Sequence, residues 1–368
     1  MASTALPPTS LNPYQQTHEE KEQQYPVHYR GVKDLVDNGS RTLPQIYVKP
    51  PDERLVINSD QQQIPLIDLS ELEGAGRSAK VEAIGRACRD WGFFLVKNHG
   101  VSESTMENEM RVGREFFHLP TEEKMRYFST DHKSRMRYAT SFNVKEDKTL
   151  NWRDFLRYSC KPLEEMVPLW PDKPTDFRKE NSEYIRKIGD LASILLSAIS
   201  ESLGLPSEYI NEVYGDYSQY MAYNFYPACP NPEQTLGLPG HSDPGGLTLL
   251  MQDDVGGLQV LHEDHWVVVR PVPNTLVINL GDQLQILSND IYKSVEHRAV
   301  VNSNRERISV ATAYGPSMST LIAPAPQLVN SSSPAVYKGC VYGDFLDSLE
   351  SGSLHKKSVL DCLKLDMS

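Results

Sequence analysis

Five side chains in the second half of this sequence have the types and spacing to bind a metal ion and an organic acid side by side. His241-Ser242-Asp243 sets an imidazole and a carboxylate two positions apart, so an extended chain points both to one face. Pro244-Gly245-Gly246 follows at once and lets the backbone turn away. Alone the pair says little, because at average composition it arises by chance in roughly one chain of this length out of two or three. His297, which closes the β-type run from Tyr292, changes its weight. Two imidazoles and one carboxylate make the facial triad that suits non-haem Fe(II) and leaves three coordination positions open. Zinc accepts the same donors, although catalytic zinc usually stays near tetrahedral with one open position. Arg307-Ile308-Ser309 then offers a guanidinium fork and a hydroxyl on one face of a strand, a fitting clamp for a carboxylate. Each piece has an ordinary reading as a surface pair, a core histidine or a strand with one exposed Arg. Their order, each placed by β texture, is the uncommon feature.

Holding five such groups together takes a rigid β scaffold, and the pattern beyond Tyr220 supplies one. Short β-rich runs cover Leu247 to Met251, Leu258 to Leu261, Trp266 to Val269, Thr275 to Leu280, Ala299 to Val301 and Ile308 to Tyr314. Turn residues separate them, including Gly256-Gly257, Pro271 to Asn274 and Gly281-Asp282. Many short strands at this spacing indicate a sandwich or jelly roll and not a βαβ sheet. The first half is helical in texture. Strands are expected at Ile64–Leu69 and Phe93–Val96, and helices at Lys80–Asp90, Glu103–His118 and Ser182–Leu203. Thr121 is expected to cap a short helix with acidic residues in its first turn. The fold class is therefore α+β, a double-stranded β-helix (jelly roll) core with a helical N-terminal part. Residues 1–25, rich in Pro, Ser, Gln and Glu, read as a mobile tail. Residues 26–215 form the helical region packed on the core, 216–320 the jelly roll, and 321–368 a C-terminal extension. Ser351 to Ser368 is expected to form a helix over the mouth of the pocket, with Leu354, Val359, Leu360 and Leu363 as its apolar residues.

With 368 residues, 39% of them hydrophobic, the chain can bury a substantial core. A net charge of -12 argues against nucleic acid as a partner, since phosphate binding needs a broad basic footprint. No apolar run approaches the roughly 20 residues that span a bilayer, and no secretory signal is visible. The five cysteines are odd in number and widely spaced, so free thiols in the cytosol are the simpler reading.

Three further segments carry a resemblance. Arg89-Asp90-Trp91-Gly92-Phe93-Phe94-Leu95-Val96-Lys97-Asn98-His99-Gly100, Asn224-Phe225-Tyr226-Pro227-Ala228-Cys229-Pro230 and Gly281-Asp282-Gln283-Leu284-Gln285 resemble signatures of the plant Fe(II)- and 2-oxoglutarate-dependent dioxygenases, the last of them as a core turn. Together with the triad and clamp, the similarity spans most of the chain. It implies that His241, Asp243 and His297 hold Fe(II). Arg307 and Ser309 hold the distal carboxylate of 2-oxoglutarate, and Tyr226 and Asn224 line its site. O2 is the oxidant, ascorbate the reductant, and the partner a small molecule met by a monomeric cytosolic enzyme. Thr140–Lys145 and Asn151–Arg157 are similar to a subgroup of dioxygenase-type flavone synthases and downy-mildew-resistance-type salicylate hydroxylases. Flavanone-to-flavone oxidation is then the first expectation, within plant specialised metabolism and flavonoid biosynthesis. Salicylate or other phenolic-acid hydroxylation, or alkaloid oxidation or demethylation, comes next, and a non-catalytic small-molecule binder is the alternative of another class. Phe142, Tyr138, Tyr223, Ala313 and Tyr314 are the expected pocket residues. Flavonoid-oxidising relatives usually carry Phe where this chain has Ala313, so either the pocket is wider here or Tyr314 fills it.

Overall fold

The computed structural model describes residues 30–54, 62–141, 148–350 and 358–365. The expected N-terminal tail, Phe142, and residues 351–357 and 366–368 of the expected C-terminal helix lie outside them.

Twelve strands build the two layers of the core: β1 (Leu66–Asp68), β2 (Phe93–Lys97), β3 (Met136–Ala139), β4 (Asp154–Ser159), β5 (Ser218–Tyr226), β6 (Leu238–His241), β7 (Leu247–Gln252), β8 (Leu258–His262), β9 (His265–Val268), β10 (Leu276–Leu280), β11 (His297–Ala299) and β12 (Arg307–Gly315). An eight-stranded sheet runs β1-β2-β10-β7-β12-β5-β4-β3 and faces a four-stranded sheet, β6-β11-β8-β9. The jelly roll is thus extended at both edges of its larger sheet by strands from the N-terminal half. Helices α1 (Arg77–Asp90), α2 (Glu103–Phe117) and α3 (Phe177–Ser202) cover the outer face of that sheet, and α4 (Asp282–Leu287) lies inside the β-rich half. Leu249, Ile278, Phe225 and Val310 point outward into the main apolar core with Ile188 and Leu195 of α3. Phe93, Leu95, Val260 and Val277 point inward and close one end of the space between the sheets. Alternation along each strand thereby divides an outer, helix-facing set from an inner, site-facing set.

The helices follow from local chemistry. In α2 the Ser102 hydroxyl accepts the Thr105 N–H and caps the first turn. The first helix stops where expected, at Gly92, which takes φ +62°. The last of the three begins five residues before the expected Ser182, because its first turn buries polar residues that read as exposed. Asn181 is fully buried, donates to the Phe177 carbonyl and lies against the hydroxyls of Tyr158 and Tyr223. Thr121 does not cap its helix: the N-cap is Pro120, and the Thr121 hydroxyl donates to Asp34 instead. Gly281–Gln285 is not a turn but the start of α4. The run from Tyr292 is not a strand until His297, because the Ser288 hydroxyl and the Gln285 side chain bind its backbone N–H groups. At the C-terminus, Ser358–Cys362 is helical, and Leu360 and Leu363 are buried. The Lys338 N–H donates to the Leu363 carbonyl and the Leu365 N–H to that of Val336, so this piece is tied to the 336–338 segment. No helix among the described residues is long and apolar enough to cross a membrane.

Glu109 of α2 is fully buried against Tyr223, whose hydroxyl donates to it. Burial pushes its carboxyl from the ordinary 4.5 up to about 8, against the pull of the Tyr223 hydrogen bond and with a push from Glu180. Between those two values the folded chain holds a proton that the unfolded chain has released, so stability falls as pH rises through that window. Glu109→Gln is therefore expected to melt about 2–4 °C above the unsubstituted protein near pH 9 and close to it near pH 5. An equal offset at both pH values, read by calorimetry, would show that the carboxyl is not protonated in the folded state.

Candidate active site

His241 ends β6 and His297 opens β11, and these residues are register partners across an antiparallel pair. Their rings lie with centroids 4.2 Å apart. Asp243 follows in the loop, its Oδ1 3.7 Å from Nε2 of each imidazole. One donor atom from each of the three residues lies within 4.8 Å of the other two, all partly buried, which is a group that could hold a metal ion. The protonation pattern suits that use. Nδ1 of His241 is 2.9 Å from the Pro239 carbonyl and Nδ1 of His297 is 3.3 Å from the Val295 carbonyl. A carbonyl only accepts, so each Nδ1 carries the proton and each Nε2 lone pair faces Asp243. Burial, reinforced by His297, brings His241 down to about 4, so its imidazole is neutral at pH 7. Burial pushes Asp243 up, yet the two imidazoles, Asn279 and Thr248 outweigh it and the carboxyl stays below its usual range. Asn279 Nδ2 at 2.8 Å and the Thr248 hydroxyl both donate to Asp243 Oδ2. That leaves Oδ1 for a cation.

The loop carrying Asp243 is fixed by the start of α4. The Asp282 N–H donates to the Asp243 carbonyl, the Gln283 N–H to that of Gly245, and the Gln283 side chain to that of Pro244. Gly281 is required there, since a Cβ would sit 2.2 Å from the Gly245 carbonyl oxygen.

Arg307 lies 3% exposed on the inner face of β12. Its guanidinium reaches the Ser309 hydroxyl at 3.4 Å and the Gln252 side-chain oxygen at 3.2 Å, and its carbon lies 5.0 Å from the Tyr226 ring centroid. These partners are neutral, and the buried Nε has no hydrogen-bond partner. A desolvated cation so placed calls for an anion. Ser309 pairs with Asn224 and Arg307 with Tyr226 across β12 and β5, so all four expected clamp residues share the inner face. The Asn224 side-chain oxygen accepts from Arg153 at 3.0 Å.

The expected pocket residues divide differently. Ala313 is on the inner face, on the same rung as Tyr220, Thr248 and Asn279, and so beside the triad. Tyr138, Tyr223 and Tyr314 are not pocket residues. Tyr138 packs on Phe116 and Phe117, Tyr223 meets Glu109, and Tyr314 stacks on Tyr217 with centroids 4.2 Å apart, all on the helix-facing side. Tyr314 therefore does not fill the space that Ala313 leaves. The inner wall beside it is formed by residues the sequence did not single out for that role: Phe155 and Arg157 of β4 and Tyr220 and Ala222 of β5. Phe155, Arg157 and Ala222 alternate with the outward residues Leu156 and Tyr223, a signal that becomes readable once the register is known.

The profile of the 2OG-Fe(II) oxygenase superfamily matches residues 217–316, and that of the non-haem dioxygenase in morphine synthesis N-terminal region matches residues 64–177. Protein DMR6-LIKE OXYGENASE 1 of Arabidopsis thaliana is 47% identical over 326 residues, covering 88% of this chain and 93% of its own length. The chain belongs to the 2OG-Fe(II) oxygenase superfamily. Flavanone 3-dioxygenase 2 of Oryza sativa subsp. japonica is 44% identical over 348 residues, covering 94% of this chain and 99% of its own. Among solved structures, JOX2 in complex with 2OG, Fe and JA superimposes with a TM-score of 0.84 at 35% identity, over 93% of this chain and 98% of that one. This oxygenase is thus a 2-oxoglutarate-dependent dioxygenase with Fe(II) and 2-oxoglutarate as its cofactors, related to the plant DMR6-type proteins. Its own residues fit both groups: two imidazoles and a carboxylate converge as metal donors, and the buried Nε of Arg307 has no hydrogen-bond partner within the protein.

Proposed function

We propose that this oxygenase oxidises a small aromatic plant metabolite held over Ala313 and Ala222 beside the triad. The observation that carries the reading is a patch of small residues, Ala222, Ala311 and Ala313, on two adjacent rungs beside Asp243's supports, with Phe155 and Tyr220 on the same face at its edges. A flat ring is the shape such a slot accepts, and aromatic side chains give it an apolar face. His241, Asp243 and His297 hold the iron, Arg307 and Ser309 the distal carboxylate of 2-oxoglutarate, and Tyr226 and Asn224 line that cosubstrate's site. Bound iron and 2-oxoglutarate supply the oxidising power from O2, with succinate and carbon dioxide as coproducts. The chain's own share is positional. The two Nδ1–H bonds to backbone carbonyls orient both imidazoles and turn their Nε2 atoms toward Asp243. Asn279 and Thr248 hold the carboxylate by its far oxygen. The sheet then holds one substrate C–H bond at a fixed offset from the metal, which is where most of the rate is gained.

Two substrate readings have support. Flavanone-to-flavone oxidation agrees with the relative named flavanone 3-dioxygenase. Hydroxylation of salicylate or another phenolic acid agrees with the guanidinium of Arg157 on the wall. A cytosolic monomer completes the proposal, supported by five free cysteines, three of them buried. Purified protein with Fe(II), 2-oxoglutarate and ascorbate, offered flavanones and phenolic acids, is expected to convert one class with one succinate per product by mass. Absence of flavanone conversion removes the first reading, and absence of substrate-dependent succinate with every aromatic removes the proposal.

A further inference from the structure

The slot has an end beyond Ala313, and a residue from the last part of the chain stands in it. Ser218 and Gly315 are register partners one rung past Tyr220 and Ala313, on the same inner face. Gly315 puts no side chain there, and helix α5 (Tyr342–Glu350) fills the gap with its first residue. A Cβ on Gly315 would lie 3.0 Å from the Tyr342 hydroxyl oxygen and 3.2 Å from that of Ser218. A Cβ on Gly245, two residues after Asp243, would lie 3.8 Å from the same Tyr342 oxygen. The phenol hydroxyl therefore stands between the end of β12 and the turn that follows the metal-binding carboxylate. Its backbone is pinned: the Tyr342 N–H donates to the Thr320 carbonyl and the Gly343 N–H to that of Met318, each at 2.9 Å. Phe345, almost one turn on, is fully buried in the main apolar core. Tyr342 itself is 4% exposed, so its ring is already fixed and its hydroxyl costs little to order on binding.

Burial, together with Tyr220, Asp243 and Asp282, holds the Tyr342 pKa well above its ordinary value against the pull of Ser218, so the group is a neutral donor. Ser218 can donate to its oxygen, which leaves the Tyr342 O–H for another acceptor. A cavity of about 480 Å³ lies at this strand end, bounded by Ser218 and Tyr220 with Lys161, Tyr217 and Met318, so open space reaches that rung. A carboxylate there would meet the charges of Asp243 and Asp282. A hydroxyl, which both donates and accepts, suits the neighbouring hydroxyls better than a carbonyl, which only accepts. We propose that Tyr342 is a specificity-determining residue whose hydroxyl hydrogen-bonds a phenolic hydroxyl of the substrate. The inference rests on the aromatic-substrate reading above and narrows it to ring-hydroxylated compounds. The ring lies over Ala313 with its hydroxyl directed at Tyr342 and Ser218.

The test uses matched compounds: flavanone against its monohydroxy derivatives, and benzoate against its monohydroxy isomers. Each is offered to the full-length enzyme loaded with Fe(II) and 2-oxoglutarate. Binding is read by anaerobic calorimetry, and KM and kcat by succinate release. In the class that is converted, the best hydroxylated compound is expected to bind about 10-fold more tightly than the one without the hydroxyl. Tyr342→Phe, which deletes only the phenol oxygen, should cut that preference to less than about 2-fold. It should raise the KM of the hydroxylated compound about 10-fold and change kcat by less than about 3-fold. Its Fe(II) affinity and melting temperature should match those of the unsubstituted enzyme. A preference that survives in Tyr342→Phe, or none in the unsubstituted enzyme, overturns the proposal. So does equal weakening of both compounds with loss of Fe(II) affinity, which would make Tyr342 a support of the Asp243 loop. In each of these cases aromatic compounds are still converted and the aromatic-substrate reading stands. Absence of substrate-dependent succinate with every aromatic compound overturns both.

Discussion

His297→Ala is expected to abolish substrate-dependent succinate release and to lower Fe(II) affinity by more than about 100-fold, beyond what loss of a supporting contact costs. The residue's position makes the prediction strong. It faces His241 across the β6–β11 pair, with Asp243 Oδ1 3.7 Å from both Nε2 atoms, so its removal leaves two donors where three converge. Nothing nearby replaces it, since this triad is the group of three or more such donors found among the described residues. Asn279→Ala supplies the graded comparison. It deletes one donor to Asp243 Oδ2 and leaves all three candidate ligands, so about 10- to 100-fold in affinity is expected. Anaerobic titration with Fe(II), or with Co(II) as a spectroscopic stand-in, reads both variants without turnover. Activity in His297→Ala equal to that of the parent would remove the residue from the metal centre.

Much of this centre was legible because its pieces are local. An imidazole and a carboxylate two apart, or a guanidinium and a hydroxyl two apart, share a face in any extended chain, so the motif and its geometry coincide. The strands from Leu247 to Gly315 were legible for the same reason, with ends displaced by one or two residues. Long-range pairing was not legible. Whether Ala313, Tyr223 or Tyr314 looks into the site depends on which residue of β5 meets which of β12, and a slip of one reverses every side chain. Two tyrosines near the clamp read as pocket walls, yet Tyr223 and Tyr314 alternate outward and serve the helix interface. The walls came instead from β4, more than 60 residues earlier in the chain, as Arg157↔Ala222 shows.

Polarity misled where a polar group is buried with a partner. Asn181 hid the first turn of α3 because an amide at a core position reads as surface, although two tyrosine hydroxyls and the Phe177 carbonyl satisfy it. Gly281–Gln285 read as a turn because glycine and aspartate favour one. The helix there forms because its first N–H groups have carbonyl partners waiting in the Asp243 loop. Both misreadings mark places where tertiary contacts settle local structure, and the second lies directly behind a candidate metal ligand.

Arg307→Met is expected to raise the KM for 2-oxoglutarate by roughly 100-fold or more, with little loss of folding stability. The two halves of that expectation have one cause. A guanidinium 3% exposed, with neutral partners and an orphaned Nε, is costly until an anion arrives. A side chain of similar length without the charge removes that cost from the folded protein together with the binding site, so the melting temperature should hold or rise. The bond it would make to a carboxylate is charge-assisted and forked, worth about 2–5 kcal/mol when one partner is removed. Arg307→Lys keeps a point charge but cannot fork, and an intermediate KM follows. Ser309→Ala deletes a single donor and should cost about 1–2 kcal/mol, roughly 10-fold. Thermal shift supplies the independent reading. At a 2-oxoglutarate concentration about 100 times its Kd, the loaded parent gains about 2.7 kcal/mol, and Arg307→Met at that same concentration should gain almost nothing. If the variant melts several degrees early without ligand, or still gains the parent's shift with it, the cosubstrate's carboxylate is held elsewhere and Arg307 is a structural cation.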